Sequence, residues 1–260
     1  MDAGTEKRKT AILEELGQNQ TVQVADLSKR FGVSEVSIRR DLTHLEATGA
    51  LRRIHGGAVV APNTRLASAS LVRPAPTRLP EKSRIGRAAA ALISSGDRVI
   101  LDSGTTVLQV ATQLSAELRQ SGDLTVITNS LPVVREIGPC KGVHLILLGG
   151  VYLSQYEATV GPQTIEQLHT LHADKLFLGA DGLTLAKGVT TANVLEAEVN
   201  RATIIAASEV IVVADSSKIG LIGLTTIAPL AGISKLITDT DAADDFIAGL
   251  RRQGVEVIVV

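Results

Sequence analysis

Apolar residues recur at helical spacing in the first quarter of the chain. Ile38, Leu42 and Leu45 stand at i, i+4 and i+7, which predicts that one face of their helix packs into a core. Ser34 precedes this segment, where its hydroxyl can accept from a free backbone N–H and cap the helix. Two further helices are predicted over residues 6–16 and 24–30. Together the three segments predict a helix-turn-helix unit.

Two short strands, predicted over residues 51–54 and 58–60, flank His55-Gly56-Gly57 and would form a small β-wing. The outer face of the third helix carries arginines and hydroxyl groups, which suit phosphates and base edges. Asp41 lies toward the buried side and is predicted to pair with an arginine. A small helical domain with a solvated charged face would explain the helix, but not the wing with its adjacent arginines. The candidate DNA-binding residues are Ser34, Ser37, Arg39, Arg40, Thr43, His44, Arg52, Arg53 and His55.

From residue 81 onward, short β-branched strands alternate with helices. Each strand is nearly all apolar, as expected for strands covered on both faces. The alternation predicts an α/β domain with a mostly parallel sheet flanked by helices. Strands are predicted over residues 98–102, 124–128, 143–148, 175–180, 210–215, 235–238 and 255–260. Helices are predicted at about 82–94, 105–118, 131–137, 163–170, 194–207 and 241–252.

Composition changes between these two parts, because four of the eight prolines fall within residues 61–80. This stretch is predicted to be a linker, and Arg73 and Arg78 in it are interpreted as solvated charges. The predicted domains are therefore 1–60, the winged helix-turn-helix, and 81–260, a ligand-binding domain.

The net charge of −1 is unevenly distributed. Residues 1–60 hold nine basic and eight acidic residues, a net charge of +1, which leaves −2 for the remainder. The basic residues stand in tight groups, and grouped cations on one face can follow phosphates even on a nearly neutral domain.

The sequence argues against membranes, metals and cofactors. No apolar run approaches the ~18 residues of a membrane span, and the first residues lack a signal-peptide pattern. We therefore expect a cytoplasmic protein without membrane contact. Cys140 is the single cysteine, so neither a disulfide framework nor a Cys-rich metal site is expected. No metal, cofactor or catalytic residue is predicted.

Small and polar residues cluster where the predicted strands end. The run Asp102-Ser103-Gly104-Thr105-Thr106 follows a strand and opens a helix, where backbone N–H groups and the helix dipole can hold an anion. Ligands of open α/β sheets bind at the carboxyl ends of the strands. The candidate ligand-binding residues there are Asp102, Ser103, Gly104, Thr105, Thr106, Asn129, Gly149, Gly150, Asp181, Lys187, Glu196 and Lys218.

Several of these residues also have a purely structural interpretation. The alternatives are a helix cap for Ser103, Thr105, Asn129 and the Asn193/Glu196 pair, a turn for Gly149-Gly150 and Asp181-Gly182, and a solvated charge for Lys218.

A set of motifs in the first unit comprises Ser34-Glu35-Val36-Ser37-Ile38-Arg39-Arg40-Asp41-Leu42, Leu45-Glu46, Gly49 and Arg53-Ile54-His55-Gly56-Gly57-Ala58. This set resembles the N-terminal winged helix of the DeoR family of bacterial regulators. The family pattern has Thr where Ser37 stands, which keeps the hydroxyl. The resemblance implies a domain that binds double-stranded operator DNA.

The remainder resembles the DeoR-family sensor domain, which is itself similar to ribose-5-phosphate isomerases, through residues 102–106, 179–182, 188–196 and 215–218. In such isomerases the hydroxyl loop holds phosphate, and acids and a lysine move protons. Lys187 and Glu196 stand nine apart, as in the isomerases. However, the acidic motif is reduced to Leu178-Gly179-Ala180-Asp181-Gly182, and the glycine-rich run after the lysine has become Val189-Thr190-Thr191. The resemblance therefore implies binding of a phosphorylated sugar without turnover.

These resemblances imply a transcriptional repressor of a sugar-catabolism operon that a phosphorylated sugar releases from its operator. Winged helices usually bind DNA in pairs, so we expect a homodimer or homotetramer. Two alternatives remain at this point. The chain could be a sugar-phosphate isomerase with an accessory N-terminal domain, or an adaptor that uses its winged helix to bind protein.

Overall fold

The computed structural model describes residues 8–9, 11–13, 15–16, 21–47, 51–54, 56–59 and 78–260. The chain divides into two compact units, Met1–Pro74 and Ala75–Val260. We call them the N-terminal unit and the C-terminal domain. Most of the predicted linker, including Arg73, and the candidate residue His55 lie outside the described residues.

The N-terminal unit combines three helical segments with a small sheet. The described residues between 8 and 16 are helical, α1 spans Val24–Phe31 and α2 spans Glu35–Ala47. Strands β1 (Thr21–Gln23), β2 (Arg52–Ile54) and β3 (Gly57–Val59) form an antiparallel sheet in the order β1-β3-β2. The predicted helix-turn-helix and wing are confirmed.

Local contacts fix the turn between α1 and α2. Gly32 adopts a left-handed conformation with φ of 63°, and its N–H bonds to the carbonyl of Ser28, which ends α1. A side chain would strain this conformation. Ser34 then caps α2, because its Oγ accepts from the N–H of Ser37 at 3.3 Å. The predicted cap is confirmed.

A core of aliphatic side chains holds the unit together. Asp41 is also buried, and its Oδ2 accepts from Nε of Arg8 at 2.7 Å, as predicted for a structural carboxylate. The core residues are Ile12, Leu16, Val22, Val24, Leu27, Ile38, Leu42, Leu45, Leu51 and Ala58.

The C-terminal domain is built on a parallel sheet of seven strands in the order β15-β14-β12-β9-β4-β5-β6. The seven predicted strands are these seven strands. Their bounds are β4 (Arg98–Leu101), β5 (Leu124–Thr128), β6 (Val143–Leu147), β9 (Ala173–Leu178), β12 (Ala207–Val213), β14 (Lys235–Thr238) and β15 (Glu256–Val259).

Helices cover both faces of this sheet. Along β4, Ile100 belongs to one apolar core with α7 (Val194–Ile205), whereas Val99 and Leu101 belong to the other with α3 (Leu79–Ala90) and α4 (Thr105–Thr112). This explains why the strands are apolar throughout. The helices are α3 (Leu79–Ala90), α4 (Thr105–Thr112), α5 (Leu131–Ile137), α6 (Pro162–Leu168), α7 (Val194–Ile205) and α8 (Asp244–Arg252).

Helix α4 ends six residues before the predicted bound at 118. Leu114 and Leu118 continue the apolar spacing and are buried, but they lie in an irregular segment. The spacing of apolar residues predicts which side chains are buried, and Leu114 and Leu118 are buried although they do not lie in a helix.

Five short strands were not predicted. They form a hairpin of β7 (Val151–Leu153) and β8 (Ala158–Val160), and an antiparallel sheet of β10 (Gly182–Thr184), β11 (Gly188–Thr191) and β13 (Thr225–Ala228). Each has only three or four residues, too few to show an alternating pattern.

The interpretation of Arg78 as a solvated linker charge is wrong. Its guanidinium contacts Oδ2 of Asp241 at 2.5 Å and Oδ1 of Asp239 at 3.3 Å, and Nε lies 3.8 Å from Oδ1 of Asp215. Asp215 and Asp239 are buried, so they require nearby positive charge. Arg78 therefore belongs to the C-terminal domain, immediately before α3.

Candidate functional site

The outer face of α2 presents most of the candidate DNA-binding side chains to solvent. Arg39, Arg40, Thr43 and His44 are exposed, while Ser37 is half-buried beside the cap. Arg40 makes no ion pair or hydrogen bond with any other described residue. A free guanidinium on this face is able to form the bidentate bonds that guanine and phosphate accept.

Two other arginines of this face are held in place. Arg39 donates to Oε2 of Glu35 at 2.7 Å, one turn earlier in α2. Arg53, on β2, donates to Oγ1 of Thr43 at 2.8 Å, and its backbone N–H bonds to Oε1 of Glu46 at 2.9 Å. These bonds attach the wing strand to α2, so helix and wing present their cations together. Arg52 precedes Arg53 on β2.

The first turn of α2 also exposes an apolar side chain. Val36 is 68% exposed, although α2 buries Ile38, Leu42 and Leu45 on its other side. Val36 is not among the DNA-binding residues predicted from the sequence.

In the C-terminal domain a cleft of about 90 Å³ opens where β4, β9 and β12 end. Because parallel strands end at one edge, residues far apart in the sequence meet there. Eight of the twelve candidate ligand-binding residues line it. The lining comprises Asp102, Ser103, Gly104, Thr105, Thr106, Val107, Tyr156, Gly179, Ala180, Asp181, Thr191, Glu196, Asn200, Lys218 and Ile227.

The first turn of α4 borders this cleft without a side-chain cap. Gly104 occupies the cap position, and no side chain accepts from the N–H groups that follow it. The hydroxyl of Ser103 points elsewhere, donating to Oε1 of Glu196 at 3.2 Å. The simple-cap alternative for Ser103 and Thr105 is therefore not what the structure shows. The free N–H groups and the positive end of the dipole make this turn suitable for an anion.

Two carboxyl groups of the cleft are buried. Burial raises the pKa of Asp102 well above its usual value, and the neighbouring Glu196 raises it further. Burial likewise raises the pKa of Glu196 to about 7, aided by Asp181 and opposed by hydrogen bonds from Thr191 and Ser103. Three fully ionised carboxylates would repel an anionic ligand. Protonation of the two buried groups removes most of that repulsion, and Lys218 adds a positive charge to the lining of the cleft.

The Asn193/Glu196 pair is only partly a capping box. Oδ1 of Asn193 accepts from the N–H groups of Leu195 and Glu196, as a cap should. The side chain of Glu196, however, turns into the cleft and accepts from Ser103 and Thr191. The functional interpretation of Glu196 thus has a geometric basis.

Two lining residues were missed from the sequence. Tyr156 reaches the cleft from the β7–β8 hairpin, and burial raises the pKa of its phenol to about 12, so it stays neutral. Asn200 lies in α7, and its Oδ1 is buried. Neither this oxygen nor the buried Oδ1 of Asp102 has a hydrogen-bond partner among the described residues. Unpartnered buried oxygens facing a cleft are typical of positions where a ligand or water donates.

Four candidates lie outside the lining of the cleft. Asn129 donates to the carbonyl of Thr159 at 2.9 Å, and the following helix is capped by Ser130 instead. Gly150 packs so closely that an added Cβ would lie 2.1 Å from Oγ1 of Thr164. The remaining two are Gly149, which bonds to the side chain of Gln167, and Lys187, which is exposed on the β10–β11 turn.

Further features of the described residues bear on the type of site. No group of three or more His, Cys, Asp and Glu side chains among them is arranged to hold a metal ion. In this part of the chain, no helix combines the length and apolarity needed to cross a membrane.

Comparison with known proteins assigns both units to one family. The DeoR-like helix-turn-helix domain matches residues 8–64, and the DeoR C-terminal sensor domain matches residues 77–240. A protein of Escherichia coli O157:H7, named as a candidate repressor of the aga operon, is 38% identical over 99% of this chain and 94% of its own length. The transcriptional repressor GlcR of Bacillus subtilis is 37% identical over 98% of this chain and 96% of its own.

Among solved structures, ribose-5-phosphate isomerase A from Methanocaldococcus jannaschii is similar over 53% of each chain, with 17% identity and a TM-score of 0.40.

Proposed function

Because this chain belongs to the DeoR family of transcriptional regulators, we propose that it represses a sugar-catabolism operon and leaves its operator when a phosphorylated sugar fills the cleft. Membership of this family makes the chain a regulator and not an enzyme, which decides against the isomerase alternative. Its site of action would be the cytoplasm, where operator DNA is found.

The uncapped first turn of α4 is the observation that carries the sugar-phosphate part of this proposal. Its backbone N–H groups, the exposed hydroxyl of Thr105 and the ammonium of Lys218 border one cleft. A phosphoryl group has the charge and the acceptor oxygens that such groups bind.

The rest of the cleft suits a polyhydroxylated molecule. Asp181 can accept from hydroxyl groups, and a protonated Asp102 or Glu196 can donate to them. Tyr156 and the unpartnered Oδ1 of Asn200 offer further hydrogen bonds. Such a mixture of donors and acceptors matches a sugar better than an apolar effector.

The DNA-binding part is supported by α2 and the wing. Arg40 is exposed on the outer face of α2, and Arg53 is held against α2 by Thr43 and Glu46. We propose that two copies of the chain bind two half-sites about one helical turn, ~34 Å, or a multiple of it apart. A ligand that binds more tightly to the DNA-free state releases the operator by linkage.

The test combines ligand and DNA measurements on the full chain. Thermal unfolding is measured with a panel of sugar phosphates and, as matched controls, the same sugars without phosphate. A ligand selective for the native state raises the melting temperature. Each stabilising compound is then added to a mobility-shift assay on DNA upstream of neighbouring sugar genes. We expect at least one sugar phosphate to stabilise the protein and release the DNA. Stabilisation by the free sugars alone, or stabilisation without release, would contradict the proposal.

A further inference from the structure

The most exposed side chain in the first turn of α2 is apolar. Val36 stands one turn before Arg40 and two turns before Thr43, so these three residues share a stripe along the helix. The stripe is opposite the buried row that begins with Ile38. Val36 therefore occupies the outermost position at the N-terminal end of the helix.

The fold does not account for a valine at this position. With 68% of its surface exposed, the isopropyl group contributes little to the core. A β-branched residue is also a weaker helix former than alanine, because its side chain loses rotational freedom in a helix. An alanine would serve the helix better.

The polar neighbours of Val36 are already engaged within the protein. Glu35 accepts from Arg39, and the hydroxyl of Thr43 donates to the carbonyl of Arg39 while it accepts from Arg53. Along the stripe, an isopropyl group and the free guanidinium of Arg40 are what remain to meet DNA.

We infer that Val36 is a specificity-determining residue that recognises thymine in the operator through its 5-methyl group. This inference rests on the proposed function, in which α2 enters the major groove. There, residues at the N-terminal end of a recognition helix contact base edges. Thymine is the base that presents a methyl group in that groove, and an apolar side chain can recognise a base edge only through such a group.

The experiment removes the methyl group from the DNA and the isopropyl group from the protein. Each thymine of a footprinted operator is replaced in turn by deoxyuridine, which keeps the base pair and lacks only the methyl. Affinity is measured by mobility shift for the wild type and for Val36→Ala. We expect the wild type to lose about three- to fivefold in affinity at one thymine of each half-site, the effect of one buried methyl-sized group. Val36→Ala should bind the thymine and uracil operators equally.

The controls separate this inference from its premise. Val36→Thr is nearly isosteric and keeps one methyl, so it should retain part of the preference for thymine. Thymines outside the footprint should show no effect with any protein. If the wild type binds the operator but tolerates every uracil, or if Val36→Ala keeps the same sensitivity, the role of Val36 is refuted while DNA binding stands. If the wild type binds no DNA, the proposed function itself fails.

Discussion

The hydroxyl oxygen of Thr191 lies between two carboxyl groups, 2.5 Å from Oε2 of Glu196 and 2.9 Å from Oδ2 of Asp181. One hydroxyl hydrogen can serve only one of these two contacts. When Glu196 is ionised, it accepts from Thr191 and the contact with Asp181 is left without a hydrogen; when Glu196 is protonated, its own O–H can donate to Thr191, and Thr191 can then donate to Asp181. The raised pKa of Glu196, about 7, agrees with this arrangement. The cleft thus holds a proton among its acidic groups near neutral pH.

This proton makes the stability of the C-terminal domain depend on pH. Folding raises the pKa of Glu196 from 4.5 to about 7. The contribution of this group to the free energy of unfolding is therefore fully present below about pH 4.5 and is lost as the pH rises through 7. The loss is about 3 kcal/mol at 1.36 kcal/mol per unit. Glu196→Gln, which cannot ionise, should flatten the fall in urea-unfolding free energy between pH 5 and 8.5.

The flattening should be partial, because Asp102 contributes a change of the same sign. Glu198→Gln is the matched control, since Glu198 is exposed on the same helix. A pH profile of Glu196→Gln that parallels the wild type would show that Glu196 is not the proton carrier.

Lys218 is predicted to account for the preference for phosphate esters. Lys218→Met should leave the fold intact and reduce affinity for a stabilising sugar phosphate by ten- to a hundredfold, the usual loss for a charge-assisted bond. Titration calorimetry would measure this, with the unphosphorylated sugar as reference ligand. Lys141→Met, an exposed lysine outside the cleft lining, should bind normally. Unchanged binding by Lys218→Met would remove this lysine from the site.

Arg40 is predicted to contact operator DNA directly. Arg40→Ala should weaken binding by about 1–3 kcal/mol if the guanidinium reads a base. If it contacts phosphate instead, the salt slope of binding should fall by about one. Mobility shifts at several salt concentrations distinguish these cases. Arg84→Ala, at an exposed arginine of α3, is the matched control. Equal affinity of Arg40→Ala and wild type would exclude the contact.

Arg78 is predicted to stabilise the C-terminal domain in a pH-dependent way. Burial tends to raise the pKa of Asp239, but hydrogen bonds from Ser216 and the charge of Arg78 outweigh it, so the pKa is lowered. Such a carboxylate stabilises the fold above its unfolded pKa and stops doing so in acid. Arg78→Ala should therefore lower the melting temperature at pH 7 and matter less near pH 3. Arg78→Lys should recover part of the loss. Equal deficits at both pH values would argue against the ion pairs as the cause.

Predictions from the sequence succeeded where one physical requirement controls the residue type. Strands buried on both faces must be apolar and β-branched, so β4 and β12 were recognisable. The run from Asp102 to Thr106 leads from a strand into a helix and lines the cleft, while its binding of an anion stays a prediction.

The sequence was insufficient where tertiary contacts determine the role of a side chain. Tyr156 reaches the cleft only because β7 and β8 form a hairpin, and Asn200 is polar within a helix, which usually means exposure. Lys187 and Glu196 have the isomerase spacing, yet the β10–β11 turn directs Lys187 to solvent while Glu196 lines the cleft. Arg78 lies within the proline-rich stretch 61–80, and its carboxylate partners are more than 130 residues away in the sequence, so composition alone could not identify them.

The buried carboxylate of Asp215 contacts two segments that are far apart in the sequence. Asp215 lies within 3.8 Å of Arg78 and of Lys82, and it also caps the turn that carries Lys218, accepting from the N–H and hydroxyl of Ser217. The Asp215 carboxylate thus contacts both Arg78, at the start of the C-terminal domain, and the turn that carries Lys218. Replacing Asp215 would therefore disturb α3 and one wall of the cleft together.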